Sequence, residues 1–244
     1  MQKKEEKMYS ALLVIIYLAF ISLGLPDTLL GSAWPQMHIE LNASLSSAGI
    51  ITMIISLGTV ISSLFSDRLN IKLGTGKVTA ISVLMTAVAL LGFSLSHSFI
   101  ILCVLAVPYG LGAGAVDAAL NNYVALHYSS KHMSWLHCFW GVGASIGPYI
   151  IGTCMAHGLG WRGGYSVISV LQFTLTAALF ITLPLWKKVE NSENNVINGN
   201  NERTQEEPRE RKAKSLSEVL HIKGVIYILF AFFCKRTTRS ELGE

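Results

Sequence analysis

Residues 63–77 read SLFSDRLNIKLGTGK and interrupt an otherwise apolar chain. Asp67, Arg68, Lys72 and Lys77 stand between apolar runs near 47–66 and 77–96. So short and charged a stretch belongs in water or among lipid headgroups, so the flanking runs cross a bilayer in opposite directions. Comparable runs lie near 9–33, 99–124, 134–156 and 164–186, each long enough as a helix to cross a hydrocarbon core of about 30 Å. Charged residues make up 14% of the 244 and hydrophobic ones 51%, with mean hydropathy +0.47. A soluble domain carries roughly 25% charge. The expected fold is an all-α integral membrane bundle of six transmembrane helices over residues 1–186.

The first run follows Lys3, Lys4 and Lys7 like a signal peptide, but its length and the five further runs argue for a retained helix. Lys and Arg gather at the N-terminus, at 67–77, at Lys131 and after the sixth run, whereas the opposite connections hold only Arg162. This asymmetry predicts a cytoplasmic N-terminus in a multi-pass protein of the cell membrane. It also accounts for most of the formal charge of +4, so the lipid bilayer is an expected partner and nucleic acid is not. Cys103, Cys138, Cys154 and Cys234 are scattered singly, without metal or redox spacing. No cofactor or metal site is expected, and no nucleophile, metal-spaced or phosphate-cradling motif suggests an enzyme.

The six runs read as two inverted sets of three. GLPD (24–27) in the first and GAVD (114–117) in the fourth place Gly three residues before an acid, at matched depths from opposite membrane faces. An axis in the membrane plane gives that arrangement, with Asp27 and Asp117 within a turn or two of the midplane. Gly110, Gly114, Asp117 and Asn121 share one face of the fourth helix, as Phe20, Gly24, Asp27, Gly31 and Trp34 do on the first. Such stripes belong against a bundle interior or watery cavity, because lipid offers the acid no partner. In the fifth run, Gly143 and Gly147 form a small-xxx-small pair for close helix packing and Pro148 can kink the helix. His137 and Trp140, one turn apart there, are candidate solute contacts, the indole as a platform for a sugar ring.

With these features in place, Asp67-Arg68 followed by Lys72, Gly74 and Lys77 resembles the loop signature of the major facilitator superfamily, although Ser63 and Asn70 stand where that family usually has glycine. The resemblance implies twelve helices in two halves and transport by alternating access. It also implies that the acid and the basic cluster form a charge relay joining the halves. Within the superfamily, residues from about 10 to 186 are most similar to fucose-permease-like sugar:proton symporters, most specifically at VDAALNNYV (116–124). That branch implies proton coupling at Asp117 and Asp27, and a sugar site including Asn121 and the adjacent Asn122. Asp117 is one methylene shorter than the branch's glutamate. The expected partners are thus protons and a small polar solute. The alternative is a drug or metabolite:proton antiporter, whose fifth-helix signature is matched only in part because Ile151 stands beside Gly152.

Residues 187–214 are polar and rich in Asn and Glu, and read as a disordered cytoplasmic linker. Ser215 and Glu218 open a short interfacial helix, and GVIYILFAFFC (224–234) offers roughly 16 Å of a seventh span before the charged tail 235–244. The sequence thus reads as the N-terminal half of such a transporter, truncated in its seventh helix, with a tail in an unrelated frame. It would need the missing C-terminal six-helix half, or else is an inactive half-transporter fragment.

Overall fold

The computed structural model describes residues 2–201. The interfacial helix and seventh-span stub expected at 215–234, the tail 235–244 and the end of the expected linker lie outside the described residues. Among the described residues there are seven α-helices, α1 (Gln2–Asp27), α2 (Leu29–Glu40), α3 (Ala48–Leu73), α4 (Thr75–Leu95), α5 (Phe99–His127), α6 (Ser130–Ala156) and α7 (Gly160–Asn201), with a 3₁₀ turn at Leu45–Ser47. Helices α1 and α2 make one span broken at Thr28. Six segments are then long and apolar enough to cross a membrane: Met8–Glu40, Leu45–Leu73, Thr75–Leu95, Phe99–His127, Ser130–Ala156 and Gly160–Val189.

Several helices outrun the apolar windows. The first span continues to Glu40 because Trp34 and Met37 are buried by neighbouring helices. Asp67, Arg68 and Lys72, expected in a connection, instead lie on exposed positions of α3. A helix leaving the hydrocarbon keeps its backbone bonded internally, so charged residues extend it into the headgroup zone. The connection itself shrinks to Gly74, whose φ of 81° an L side chain rarely adopts and which lets α4 begin at Thr75. Residues 187–201, expected to open the linker, are the end of α7, which buries Trp186 and Val189.

The strongest helix pairings are α3 with α5, α4 with α7, α1 with α6 and α4 with α5. Exchanging the first three spans for the last three turns the α1–α6 pairing into α5–α3 and maps α4–α7 onto itself. It also turns α4–α5 into α7–α1, a pairing that is likewise present. The packing therefore has the pattern of two inverted three-helix repeats. One apolar cluster, around Leu25, Met37, Phe93, Tyr109 and Trp161, fills the end of the bundle away from the N-terminus; another, around Ile16, Phe20, Leu120, Leu136 and Trp186, fills the N-terminal end. Asp27 lies two residues beyond Leu25, the α1 member of the first cluster, and Asp117 follows Val116 of the second.

Two prolines lie inside helices beside this junction, and each released carbonyl has a donor from another span. Pro26 has no N–H for the carbonyl of Ser22; the buried Gln172 of α7 donates its amide to that carbonyl at 2.7 Å and accepts the Ser22 hydroxyl at 2.7 Å. Pro148 likewise releases the carbonyl of Ala144, which accepts the Thr28 hydroxyl at 2.8 Å. In hydrocarbon an unpaired carbonyl costs several kcal/mol, so these side chains are what make the two prolines tolerable.

Candidate functional site

Close helix crossings frame the site. A Cβ on Gly24 would overlap the Trp140 carbonyl, and one on Gly143 or Gly147 would overlap the carbonyls of Ile21 or Leu25, so α1 and α6 touch backbone to backbone. On the other side a Cβ on Gly110 or Gly114 would overlap the carbonyls of Ile55 or Thr59 in α3. The second crossing is also laced with hydroxyls, since Ser62 donates to the Leu111 carbonyl at 2.6 Å. Backbones this close bring four helices around one space without filling it.

That space is a cavity of about 340 Å³. Phe20, Leu23 and Asp27 line it from α1, Ile55 and Thr59 from α3, Ala113 and Asp117 from α5, and His137 and Trp140 from α6. The two acids, distant in sequence, thus face one volume together with the histidine and the indole. Asp27 accepts two bonds from other helices: Trp140 Nε1 at 2.9 Å to one carboxylate oxygen and the Tyr109 hydroxyl at 3.2 Å to the other. Asp117 has its bond within its own helix, from Asn121 Nδ2 at 2.9 Å, and the same amide also donates to the Asp117 carbonyl at 3.0 Å. The His137 ring stands edge-on to Phe20, with centroids 6.3 Å apart.

The other sequence candidates fall elsewhere. Asn121 supports Asp117 and is absent from the lining, and its buried side-chain oxygen has no hydrogen-bond partner. Asn122, expected to touch solute, is exposed and outside the cavity, because one residue further along a helix turns the side chain by about 100°. Asp67, Arg68, Lys72 and Gly74 lie at the N-terminal end of the bundle, away from both acids.

Tyr109 and Gln172 were not singled out by sequence. Tyr109 is an apolar-looking neighbour of Gly110, and only the fold shows its hydroxyl on Asp27. Gln172 had a readable signal, as an amide alone in an apolar run, but no indication of its partner. At the far end Glu40 pairs with Arg162 and accepts Trp161 Nε1 at 2.9 Å; Arg162 also donates to the Ser96 carbonyl at 3.1 Å, tying together the ends of α2, α4 and α7. A second, smaller cavity of about 190 Å³ meets the first at Asp27 and Ile55 and is walled mostly by apolar and aromatic side chains.

The Major Facilitator Superfamily model matches residues 16–236. The chain is 26% identical over 116 residues to an uncharacterized transporter, y4wD, of Sinorhizobium fredii, a match covering 46% of this chain and 31% of that protein. It is 25% identical over 181 residues to synaptic vesicle glycoprotein 2B of Rattus norvegicus, covering 71% of this chain and 26% of that one. With synaptic vesicle glycoprotein 2C of Rattus norvegicus, identity is 25% over 168 residues, covering 67% and 23%. These alignments span less than a third of each relative's length. Six apolar spans, the inverted pairing of the helices and a family match over most of the sequence lead to one assignment: the chain belongs to the major facilitator superfamily.

Proposed function

We propose that this chain supplies one half of the solute path of a proton-coupled secondary transporter, carrying a sugar or similar small polar solute by alternating access. The observation behind this reading is the convergence of Asp27, Asp117, His137 and Trp140 on one cavity between α1, α3, α5 and α6. A proton-coupled carrier needs a group that binds and releases a proton as the cavity faces each side, and an intramembrane carboxyl beside water suits that task. Asp117 is the proton carrier, since its bond lies within its own helix and can be remade without moving a neighbour. Asp27 binds solute, its carboxylate aimed by Tyr109 and Trp140, while the indole face stacks on a ring. Asn121 holds Asp117, and Asp67, Arg68 and Lys72 meet the second half of the transporter at the cytoplasmic face of the plasma membrane. The fucose-permease-like branch and the N-terminal-half reading both belong to this proposal.

The test is uptake of labelled monosaccharides into vesicles containing the chain, alone and co-expressed with a C-terminal six-helix half. Accumulation that a protonophore abolishes supports symport. Proton-driven extrusion instead supports the antiport alternative, and transport by neither preparation would reduce the chain to a non-transporting half-bundle.

A further inference from the structure

The seam between α3 and α5 carries more polar groups than its packing uses. The two helices belong to the second and fourth spans and so run in the same direction. Thr59 donates to the Gly110 carbonyl and Ser63 to the Gly114 carbonyl, both at 3.4 Å and both across 51 residues of sequence. Carried along the next turns, that offset sets Ser66 against Asp117 and Asn70 against Asn121. The steps agree as well: Thr59, Ser63, Ser66 and Asn70 are spaced as Gly110, Gly114, Asp117 and Asn121 are, so each set forms one ridge. Beyond Ser63 the hydroxyl bonds across the seam stop. Ser66 is 3% exposed, and its Oγ, Asn70 Oδ1 and Asn121 Oδ1 are buried without a hydrogen-bond partner among the described residues. An amide oxygen only accepts and a hydroxyl also donates, so the three present two acceptors and one donor. A water molecule is their complement, since a buried water takes two to four such partners. A hard cation takes about six oxygens or more, which these turns do not present.

We propose that these turns hold a buried water site, in which water donates to Asn70 and Asn121 and accepts from Ser66, and through which Asp117 exchanges its proton with the N-terminal end of the bundle. The route is separate from the large cavity, which Asp117 lines and Ser66 and Asn70 do not. In one transfer the Asp117 O–H breaks as its proton moves to Ser66 Oγ, whose own proton passes to the water. A proton from that water then goes to bulk water beyond Asn70. Asp117 is left as a carboxylate, while Ser66 and the bound water end as they began. Asn121, bonded to Asp117 through its amide nitrogen and to the water through its oxygen, keeps acid and water in register. A solute that fills the cavity therefore does not block proton exchange. The proton route rests on the reading of Asp117 as the proton carrier, whereas the water site does not.

The first test is a crystal structure of the chain grown in a lipidic phase, at a resolution that shows ordered water. Density within hydrogen-bonding distance of Ser66 Oγ, Asn70 Oδ1 and Asn121 Oδ1 is expected; a dry seam would overturn the site. Unfolding reads the same point. If water joins the three groups, Asn70→Leu strips it of an acceptor and should lower the melting midpoint by roughly 2–4 °C. An unchanged or raised midpoint would overturn the site, since replacing an unpaired buried amide by leucine costs nothing. In an active transporter built on this chain, Ser66→Ala should slow proton-driven accumulation at least about tenfold with solute counterflow unchanged. Ser66→Thr, which keeps the hydroxyl, should restore the rate. Equal accumulation by Ser66→Ala and the parent would overturn the proton route. Accumulation that survives Asp117→Asn would overturn the route together with the reading of Asp117, and not the water site.

Discussion

Asp27 and Asp117 occupy mirrored places in the two repeats and open on the same cavity, yet they are held in different ways. Asp27 is gripped from α5 and α6 through Tyr109 and Trp140, so it can change its bonding only if helices move or donors let go. Asp117 leans on Asn121 four residues along its own helix, a bond that travels with it. Repeat symmetry of the backbone therefore does not carry over to the side chains. A carboxylate bonded across helices is tied to their arrangement, whereas one bonded within a helix keeps its partner when they move. Division of labour between two acids needs that kind of asymmetry.

The sharpest way to break the comparison is to remove each charge in turn. In vesicles holding an active transporter built on this chain, Asp117→Asn should abolish accumulation driven by a proton gradient while counterflow of solute continues. Identical behaviour of the two variants would erase the distinction. Asp27→Asn should keep some accumulation and weaken solute binding about tenfold, the scale of one charged hydrogen bond, as read by equilibrium binding. Gln172→Leu leaves the carbonyl released by Pro26 without its donor one turn from Asp27; thermal unfolding in detergent should show a loss of about 1–3 kcal/mol. Trp140→Phe, which removes one of the two donors to Asp27 and keeps an aromatic face, should cost only a few-fold in solute affinity, within about 1 kcal/mol. If it costs as much as Asp27→Asn, the indole and not the carboxylate is the principal solute contact.

Much of this architecture was legible in the residues. Apolar runs interrupted by charged stretches mark six spans because a bilayer imposes one length on every crossing, and GLPD and GAVD marked the repeat because depth is conserved under its inversion. Gly143 and Gly147 announced close packing, since only a missing Cβ lets two backbones meet. What spacing along one helix could not supply was distance between helices. The periodicity that put Asp117 and Asn121 on one stripe was enough to pair them, while nothing local in the sequence aims Tyr109 at Asp27 or Gln172 at Ser22. Asn122 falls outside the cavity lining for the same reason, as adjacency in sequence is not adjacency on a helix. Hydropathy places the charged motif at 67–72 in a loop because it marks where lipid ends, whereas the helix goes on until Gly74 allows the chain to reverse.

The Ser22 carbonyl has a further consequence, for biosynthesis. Its donor, Gln172, sits 150 residues downstream, in the last of the six spans. When the first span enters the bilayer, Pro26 has already released that carbonyl, and nothing on the same helix replaces the lost donor. The carbonyl of Ser22 can therefore gain this donor only after the sixth span has been synthesised and has docked beside the first. Until then, the segment has reason to stay close to the insertion machinery or to water. A chain arrested before residue 172 would lack the donor that this carbonyl has in the folded bundle.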